Sequence, residues 1–488
     1  MTNTVGHKEL ENWWDGRVII DELKEFVDAR GSLTELWRND DDKAKVTEKD
    51  ETNSSFYEPC MSYWSETKPF VQRGPHEHVG QTDVFVTWKA RMIYNLYNPV
   101  TKEMKYFVTD PTKIYRVKVG IGIIHSYRNI GFSDSLTGNF PTSLFMGLDK
   151  KGWKDGQKVD EIRHEEEVKP EITYWLLGAG GRLGNSFLKS LHKKMGYHTF
   201  NVIPLFDKFA NNKEGYDKLN VLLEEIKKTK NSVIINCVAY TNTADTGSAL
   251  HNACNTSLPT YLTSFAALEN VPLIHFSTDY VYQTGALNAY TQSKMRYESW
   301  LKDSISSSHI AEFKAAKEAE IQDMENSSMD EITIEAYRTK FEEVVSTLEK
   351  NKADIEKNVR ILRVANLFSV DTKEDMFDKI YAKIKDGSIR VPFKKWSTLP
   401  TSTDDLADWV VSDVLNSFDK FNVFTNVSGK QYTMEQVVKD LFKSNIPIIE
   451  TNNALVDLNH TAFISDNAVI INCEKSIQQK ISKITAHE

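Results

Sequence analysis

The segment from Ile172 to Gly184 reads ITYWLLGAGGRLG, and it decides the fold of the second part of the chain. An apolar run of this kind is typical of a buried strand, and a helical pattern follows the glycines. A glycine-rich turn between a strand and a helix brings backbone N–H groups close to a pyrophosphate. The segment therefore predicts a dinucleotide-binding unit, although a strand, turn and helix without a ligand can show the same pattern.

Apolar runs continue to alternate with helical patterns toward the C-terminus. Further strands are predicted at Thr199–Leu205, Ser232–Val238, Pro272–Ser277 and Val359–Val364. This order indicates a doubly wound, parallel sheet of the Rossmann type.

Residues 303–358 interrupt that alternation with a charged, nearly glycine-free stretch of helical pattern. We interpret it as an inserted helical hairpin. Its apolar stripe repeats at steps of three and four residues, and its members are Ile334, Tyr337, Phe341, Val344 and Leu348. Such a stripe packs on its own domain or on a partner.

A possible proton donor lies about a hundred residues after the glycine turn. Tyr290 precedes Lys294 by one helical turn, and a neighbouring cation can lower the pKa of a tyrosine. Thr278 ends a predicted strand, where its hydroxyl can bind a carbonyl beside Tyr290. With the glycine turn, these residues indicate reduction of a ketone by a nicotinamide cofactor, although a lone Tyr-x-x-x-Lys also occurs by chance.

The first third of the chain has a different pattern. Runs such as Asp83–Trp88 and Met92–Tyr97 are apolar or alternate, with polar turns between them, which indicates an all-β barrel or sandwich. The charged run Asp160–Pro170 is interpreted as a linker. We therefore expect domains at 1–167 and 168–488.

The composition narrows the class of protein. A chain of 488 residues predicts two domains. The net charge of −9 argues against nucleic acid or an anionic membrane as a partner. No apolar run is long enough to span a membrane, and the first residues lack the pattern of a signal peptide. The widely spaced cysteines, which favour reduced thiols, are Cys60, Cys237, Cys254 and Cys473. We expect a cytoplasmic protein.

From about residue 172 onward, the chain resembles the dTDP-4-dehydrorhamnose reductase family of extended short-chain dehydrogenase/reductases. The matching runs are Leu177–Gly184, Val233–Thr241, Ser277–Tyr282, Tyr290 with Lys294, Leu362–Phe368 and Pro400–Ala407. The resemblance implies Thr278, Tyr290 and Lys294 as catalytic residues. It implies cofactor contacts at Gly178, Gly181, Arg182, Leu183, Gly184, Ala239, Tyr240 and Lys294, and a substrate contact at Asn366.

Two features of this part leave details open. The stretch between Thr278 and Tyr290 is shorter than the family shows, which puts the substrate in question. The choice between NADPH and NADH is also open, because Asp207 near the end of the second strand favours NADH whereas the adjacent Lys208 favours NADPH.

The first domain resembles the dTDP-4-dehydrorhamnose 3,5-epimerase family of cupins. The runs that carry this resemblance are Asp28–Leu36 as an opening strand, Arg73–His78, Gly122–Gly131, Asn139–Pro141 and Val159–Glu165. It implies a jelly roll in which His76 is the base that removes a proton beside a ketone. Arg73, His125 and Arg128 are the implied substrate contacts, with the arginines on the nucleotide diphosphate.

Two alternatives concern this pocket. His76, His78, Asp83 and His125 have the spacing of a metal-binding cupin, and their side chains suit iron, manganese or zinc. The epimerase resemblance implies no metal, and we expect none. Phe145 stands where the family has an acidic tyrosine, so epimerisation at one carbon, or Tyr127 as a substitute acid, is the second alternative.

Together the two resemblances imply a bifunctional nucleotide-sugar enzyme. It would epimerise a dTDP- or UDP-4-keto-6-deoxyglucose at C3 and C5 and reduce C4 with NADPH or NADH, giving a nucleotide-L-rhamnose or a related sugar. The alternatives are a reductase with a non-catalytic or single-carbon cupin, and a non-catalytic NADP-binding regulatory subunit. We expect a homodimer.

Overall fold

The computed structural model describes residues 7–37, 59, 61–142, 161–164, 172–210, 212–285, 287–327, 329–391, 397–450, 456–458, 463–464 and 466–486. The chain divides into two compact units. The first comprises residues 1–171 and 192–203, and the second comprises residues 172–191 and 204–488. The predicted domain boundary at 167/168 lies outside the described residues.

The first unit consists of antiparallel strands. They are β1 (His7–Trp13), β2 (Val18–Leu23), β3 (Glu25–Asp28), β4 (Gly31–Thr34), β5 (Tyr63–Thr67), β6 (Gln72–His78), β7 (Asp83–Trp88), β8 (Met92–Asn98), β9 (Glu103–Val108), β10 (Ile114–Val119), β11 (Ile124–Asn129), β12 (Ser135–Asn139) and β13 (Glu161–Arg163). One sheet has the order β1-β2-β10-β7-β12-β5 and the other has the order β13-β6-β11-β8-β9. These two sheets confirm the predicted all-β, cupin-like first domain.

The core of this unit is formed by apolar side chains on strands of both sheets. Val18 and Ile20 of β2 and Phe85 of β7 belong to the six-stranded sheet, whereas Tyr94 of β8 and Tyr127 of β11 belong to the five-stranded sheet. All five are buried in one cluster. Sheets packed face to face bury alternate residues in this way. The histidines of β6 and β11 therefore lie beside an aromatic core.

Two local predictions for this unit were wrong. Asp28–Leu36 is not one opening strand, because the chain turns back at Gly31 and β3 pairs with β4 as a hairpin. The φ of Gly31 is +128°, a conformation that favours glycine. The predicted linker also begins too early, because Glu161–Arg163 pairs with β6 as a strand.

From residue 172 onward the chain alternates strands and helices, and it belongs to the second unit except for residues 192–203. Its strands are β14 (Thr173–Leu177), β15 (Val202–Leu205), β16 (Ser232–Asn236), β17 (Leu273–Thr278), β18 (Gln283–Gly285), β19 (Val359–Val364), β20 (Leu367–Phe368), β21 (Ile389–Val391), β22 (Ser397–Thr398), β23 (Thr401–Ser402), β24 (Phe424–Ser428), β25 (Tyr432–Thr433), β26 (Ile448–Glu450), β27 (Val456–Leu458) and β28 (Val469–Ile470). Its helices are α1 (Arg182–Met195), α2 (Lys213–Lys228), α3 (Ala249–Asn252), α4 (Leu258–Glu269), α5 (Ala289–Ser304), α6 (Ser307–Glu325), α7 (Glu331–Asn358), α8 (Met376–Lys385), α9 (Thr403–Trp409) and α10 (Glu474–Thr485).

The main sheet has the order β15-β14-β16-β17-β19-β24-β28. The pairs from β14 to β28 run parallel, which confirms the predicted doubly wound sheet. The chain moves from β14 to β15 on one side and then returns to place β16 on the other side. A crevice therefore opens at the carboxyl ends of β14 and β16, where open parallel sheets bind ligands.

The second strand is shorter than the sequence predicted. A 3₁₀ helix occupies Gly196–Asn201, and the strand begins only at Val202. The φ of Gly196 is +50°, so this glycine ends α1 in the left-handed conformation typical of a helix C-terminus. The residues before Val202 are therefore used in the turn and not in the sheet.

The inserted helices α6 and α7 form the predicted hairpin. Lys314 of α6 pairs with Glu349 of α7 at 2.6 Å, and the rings of Phe313 and Phe341 have centroids 6.2 Å apart. Tyr337 donates its hydroxyl to Glu320. Part of the predicted apolar stripe thus faces the other helix of the insertion. Within the described part of the chain, no helix is long and apolar enough to cross a membrane.

Candidate active sites

The glycine turn after β14 leaves no room for side chains. The φ of Gly178 is +77°, and a Cβ there would lie 3.0 Å from the backbone of Cys237 and Val238. A Cβ on Gly184 would collide with the carbonyl of Gly178. Gly181 N donates to Gly178 O at 3.0 Å, which closes the turn. Because the glycines let the backbone approach closely, the N–H groups of this turn suit a pyrophosphate at the start of α1.

Two predicted cofactor contacts begin α1. Arg182 is its first residue and donates to Leu367 O at 3.4 Å, and Leu183 is buried. The structure therefore places both residues directly after the glycine turn. The guanidinium of Arg182 is anchored beside the end of β19, which belongs to the same edge of the sheet.

The backbone of Ala239 and Tyr240 follows β16 at the carboxyl edge of the sheet. Asn255 fixes it with two hydrogen bonds, one from Tyr240 N at 3.0 Å and one to Tyr240 O at 2.9 Å. The same amide donates to Ser293 Oγ at 3.1 Å, next to Lys294. The sequence reasoning missed Asn255. A buried asparagine in a helical segment is a weak signal, and here it joins the cofactor side of the site to the catalytic helix.

The structure places Thr278 and Tyr290 at the same end of the sheet. Thr278 is the last residue of β17, and Tyr290 lies near the start of α5. Thr278 Oγ1 also lies 3.0 Å from Asp279 Oδ1. Lys294 follows one turn later on α5, is buried, and donates to Phe276 O at 2.8 Å. The three side chains therefore share the carboxyl end of β17.

The pKa values of this group differ from the expectation. Removal from water raises the pKa of Tyr290 above its ordinary range, and the nearby Thr278 hydroxyl offsets only part of this. Burial lowers the pKa of Lys294 to about 8. The prediction that Lys294 lowers the tyrosine pKa is therefore not met in this structure, where the ammonium group donates to a backbone carbonyl.

A buried ion pair lies behind these residues. Arg363 of β19 donates to both carboxylate oxygens of Glu298 on α5, at 2.7 to 3.1 Å. Ser277 Oγ donates to the same carboxylate at 2.6 Å. This network joins α5 to β17 and β19, and it therefore holds the helix that carries Tyr290 and Lys294 in place against the sheet.

Asn366 lies just beyond β19, with a φ of +39°. Its side chain donates to Thr398 Oγ1 at 2.7 Å, and its carbonyl accepts from Thr401 N. The structure therefore places Asn366 at the same edge of the sheet as Thr278, in a conformation that asparagine tolerates better than most residues. Its amide is held by a protein partner.

Asp207 lies two residues beyond β15. Its carboxylate accepts from Lys218 of α2 at 3.0 Å, and the ring of the preceding Phe206 lies 3.2 Å from the Cβ position of Gly180 in the glycine turn. Asp207 is therefore close in sequence to a residue that covers the turn. The basic neighbour that it contacts is Lys218 and not Lys208.

In the first unit, His76, His78, Asp83 and His125 come together. One ligand atom from each lies within 4.8 Å of every other. His125 Nε2 and His78 Nε2 lie 3.2 and 2.9 Å from the same oxygen, Asp83 Oδ2. Burial opposes ionisation of Asp83, but the bonds from His125 and His78 prevail and hold its pKa well below the usual range. β6, β7 and β11 supply this cluster.

The two predicted arginines are held by protein acceptors. Arg73 donates to Thr67 Oγ1 at 3.1 Å and to Glu66 O at 2.9 Å. Arg128 donates to Phe70 O and to Gln72 Oε1, both at 2.8 Å. Each guanidinium group thus donates some of its hydrogen bonds to protein acceptors.

The candidate acid Tyr127 is buried in the aromatic core. Its ring centroid lies 5.3 Å from that of Phe85, and burial raises its pKa even though Ser65 hydrogen-bonds to it. The neighbouring Tyr94 shares a 2.6 Å hydrogen bond with Thr87. Phe145, which stands at the position of the expected acid, lies outside the described residues.

Comparisons with solved structures found proteins that are similar to parts of this chain. Solved structures with similarity include a dTDP-4-dehydrorhamnose reductase from Clostridium acetobutylicum (17% identity, covering 64% of this chain and 100% of that chain, TM-score 0.41). A reductase of the same name from Bacillus anthracis, in complex with NADP, has 15% identity over 65% of this chain and 99% of that chain, with a TM-score of 0.40. A dTDP-4-dehydrorhamnose 3,5-epimerase from Sulfolobus tokodaii has 18% identity over 29% of this chain and 78% of that chain, with a TM-score of 0.24.

A comparison with curated proteins found no match. Residues 173–307 match the family model of the RmlD substrate binding domain. This range contains the glycine turn, Thr278, Tyr290 and Lys294. The second unit of the chain therefore contains an RmlD substrate binding domain.

Proposed function

We propose that the second unit reduces the C4 ketone of a nucleotide-4-keto-6-deoxy sugar with NADPH or NADH. The observation that carries this proposal is the placement of Thr278, Tyr290 and Lys294 at the carboxyl end of β17, where Lys294 donates to Phe276 O at 2.8 Å. The tight glycine turn after β14, in the same parallel sheet, supports a dinucleotide there. A nicotinamide cofactor supplies the hydride.

The chain's own residues supply the proton. Thr278 ends β17 and Tyr290 lies near the start of α5, so we place one ketone oxygen within reach of both hydroxyls. The raised pKa of Tyr290 keeps its hydroxyl protonated at neutral pH, the state that a general acid needs. As the oxygen gains negative charge, Tyr290 gives it a proton and later regains one from solvent. Lys294, whose pKa is about 8, is charged at neutral pH and binds the cofactor ribose.

We propose that the first unit epimerises the same sugar at C3 and C5 before reduction. His76 removes the proton beside the ketone, which is acidic because the resulting negative charge spreads onto oxygen. The cluster of His76 with His78, Asp83 and His125 beside the aromatic core supports a base in a sheltered pocket. The product of both steps would be a nucleotide-L-rhamnose or a related deoxysugar.

The experiment that tests both steps uses the whole chain with dTDP- and UDP-4-keto-6-deoxyglucose. Oxidation of NADPH and NADH is followed at 340 nm, and the product is examined by NMR in D₂O. Tyr290→Phe should lower reduction by about 10² to 10⁴-fold while deuterium still enters C3 and C5. His76→Gln should stop deuterium entry while reduction of an already epimerised keto sugar continues.

The two variants serve as controls for each other. Absence of oxidation with either nucleotide and either cofactor would contradict the reductase proposal and favour a non-catalytic NADP-binding subunit. Deuterium at one carbon alone would contradict two-carbon epimerisation.

A further inference from the structure

The first unit contains an arrangement of nitrogen and oxygen atoms that the proposed proton transfer does not use. We propose that His78, Asp83 and His125 hold a divalent transition-metal ion in the epimerase-like pocket. This departs from our expectation of a metal-free site. The binding claim rests on these three side chains alone and is independent of the proposed function.

The distances match those of ligands that share an ion. His78 Nε2 and His125 Nε2 lie 2.9 and 3.2 Å from Asp83 Oδ2. Ligand atoms bonded to one ion at about 2.1 Å lie about 3.0 to 3.4 Å apart at octahedral or tetrahedral angles. Both histidine nitrogens therefore lie about as far from Asp83 Oδ2 as two ligands of one ion lie from each other.

The hydrogen bond of His125 Nδ1 leaves its other ring nitrogen facing the cluster. His125 Nδ1 lies 2.8 Å from Ile123 O, which can only accept, so Nδ1 carries a proton. Nε2 is then the nitrogen that can contact a metal ion, and it lies 3.2 Å from Asp83 Oδ2. A metal ion can take the place of a shared proton between these two atoms, and a ligand histidine usually donates its other N–H to a carbonyl in this way.

Asp83 is also held as a metal ligand would be. Its other oxygen, Oδ1, accepts from Gln81 at 2.8 Å and from Asn139 at 2.9 Å. These bonds leave Oδ2 directed at the two histidines. The three side chains are buried, with exposed fractions of 8% for His78, 1% for Asp83 and 3% for His125. Two imidazoles and one carboxylate in a buried site suit manganese, iron, cobalt or zinc better than calcium or magnesium.

His76 belongs to the same cluster but is only half-buried. We assign it the role of base beside the ion, an assignment that rests on the proposed function. When the C–H bond next to the ketone breaks, the proton passes to His76 and the electron pair moves onto the ketone oxygen. A divalent ion held by His78, Asp83 and His125 would stabilise that negative oxygen. Water on the opposite face then gives a proton to the same carbon as the electron pair returns to it, which restores the ketone and inverts the carbon, and His76 releases its proton to solvent.

The test is a Co²⁺ titration of the full chain after chelator treatment. Binding is followed by the visible absorption of protein-bound Co²⁺, and metal analysis gives the stoichiometry. We expect one Co²⁺ per chain. His125→Gln and Asp83→Asn should each weaken binding by about 10-fold or more. His76→Asn should bind Co²⁺ within a few-fold of the unaltered chain.

His164→Gln is the matched control, because His164 adjoins β13 next to the cluster and bonds to Glu77 instead of Asp83. It should bind Co²⁺ like the unaltered chain. Circular dichroism, together with cofactor binding by the second unit, shows that each variant is folded. Equal Co²⁺ affinity in His125→Gln and the unaltered chain, or absence of stoichiometric binding, would overturn the proposal.

The titration needs no turnover, so two failures can be told apart. A chain that binds Co²⁺ but exchanges no sugar proton contradicts the epimerase proposal alone. A chain that exchanges both protons after chelation, and binds no Co²⁺, contradicts the metal proposal alone.

Discussion

Asp207 is the residue that should decide cofactor choice. A carboxylate just beyond the second strand accepts from the ribose 2′-hydroxyl of NADH and repels the 2′-phosphate of NADPH. Lys218 donates to the carboxylate of Asp207. The adjacent residue, Phe206, has its ring 3.2 Å from the Cβ position of Gly180 in the glycine turn. We predict tighter binding of NADH, and we predict that Asp207→Ala shifts the NADPH/NADH affinity ratio toward NADPH by roughly tenfold, or about 1.4 kcal/mol.

Titration of cofactor fluorescence measures both affinities. Lys208→Ala is the comparison variant, since Lys208 is adjacent in sequence but Asp207 pairs with Lys218 instead. An NADPH/NADH affinity ratio that is unchanged in Asp207→Ala, or that changes equally in Lys208→Ala, would show that the Asp207 carboxylate does not contact the 2′ group of the ribose.

Lys294 should make cofactor binding depend on pH. Its pKa of about 8 in the free protein means that it loses its charge as the pH rises through 8. Binding to ribose oxygens favours the charged form, so binding should draw a proton from solvent above pH 8. We expect proton uptake at pH 8.5 and almost none at pH 6.5. Calorimetry of NADH binding in two buffers of different ionisation enthalpy measures it.

In Lys294→Met the proton uptake should disappear while some cofactor affinity remains. Proton release on NADH binding at pH 8.5 would contradict the assignment of Lys294.

The lowered pKa of Lys294 also has a consequence for folding. Between about pH 8 and the unfolded value near 10.5, the unfolded chain binds more protons at this position, so the contribution of Lys294 to stability rises with pH.

Residue spacing was sufficient to predict the position of some of these residues and not of others. The placement of Tyr290 and Lys294 on one helix was predictable because one helical turn separates them along the sequence. Asn255 was not, because its two bonds to Tyr240 depend on a helical segment passing beside the end of β16. The raised pKa of Tyr290 was also unpredictable, since it arises from the loss of solvent in the folded site.

The last helix, α10, is attached to α8 by a buried lysine. Lys480 is 2% exposed and forms ion pairs with Asp375 at 2.9 Å and with Asp378 at 2.8 Å, the two carboxylates that cap α8. Removing one partner of a buried ion pair leaves an uncompensated charge. We predict that Lys480→Met lowers the free energy of unfolding of the second unit by about 3 to 5 kcal/mol.

Urea unfolding followed by tryptophan fluorescence measures this loss. Lys483→Met on the same helix is the matched control, because its ion pair with Asp371 is exposed and exposed pairs contribute little. A loss for Lys480→Met that is no larger than the loss for Lys483→Met would mean that the buried pair does not hold α10 in place.

At the scale of elements, apolar runs predicted strands well. The strands Asp83–Trp88 and Val359–Val364 have the predicted bounds. A strand that is buried along its length needs a run of mostly apolar residues, and turns rarely contain such a run. The hairpin around Gly31 and the 3₁₀ helix after Gly196 were missed. In both places a glycine with positive φ redirects the chain, and a single glycine does not tell which conformation it will adopt.

At the scale of the whole molecule, the change from strand runs to strand–helix alternation predicted two different architectures. The boundary was less predictable, since the contacts assign residues 192–203 to the first unit although they follow the glycine turn in sequence. A pattern in the sequence reports local structure, whereas membership of a compact unit depends on contacts between distant segments.

Covalent linkage of the two proposed activities should shorten the life of the free keto intermediate. Tethered sites see an effective concentration set by the chain that joins them, often in the millimolar range for short links. We predict that an equimolar mixture of full-length Tyr290→Phe and His76→Gln, matched to the unaltered chain in each active site, shows a longer lag before product forms. Stopped-flow oxidation of the cofactor measures the lag, and diluting the mixture should lengthen it further. Equal lags for the mixture and the unaltered chain at every dilution would show that the fusion brings no kinetic advantage.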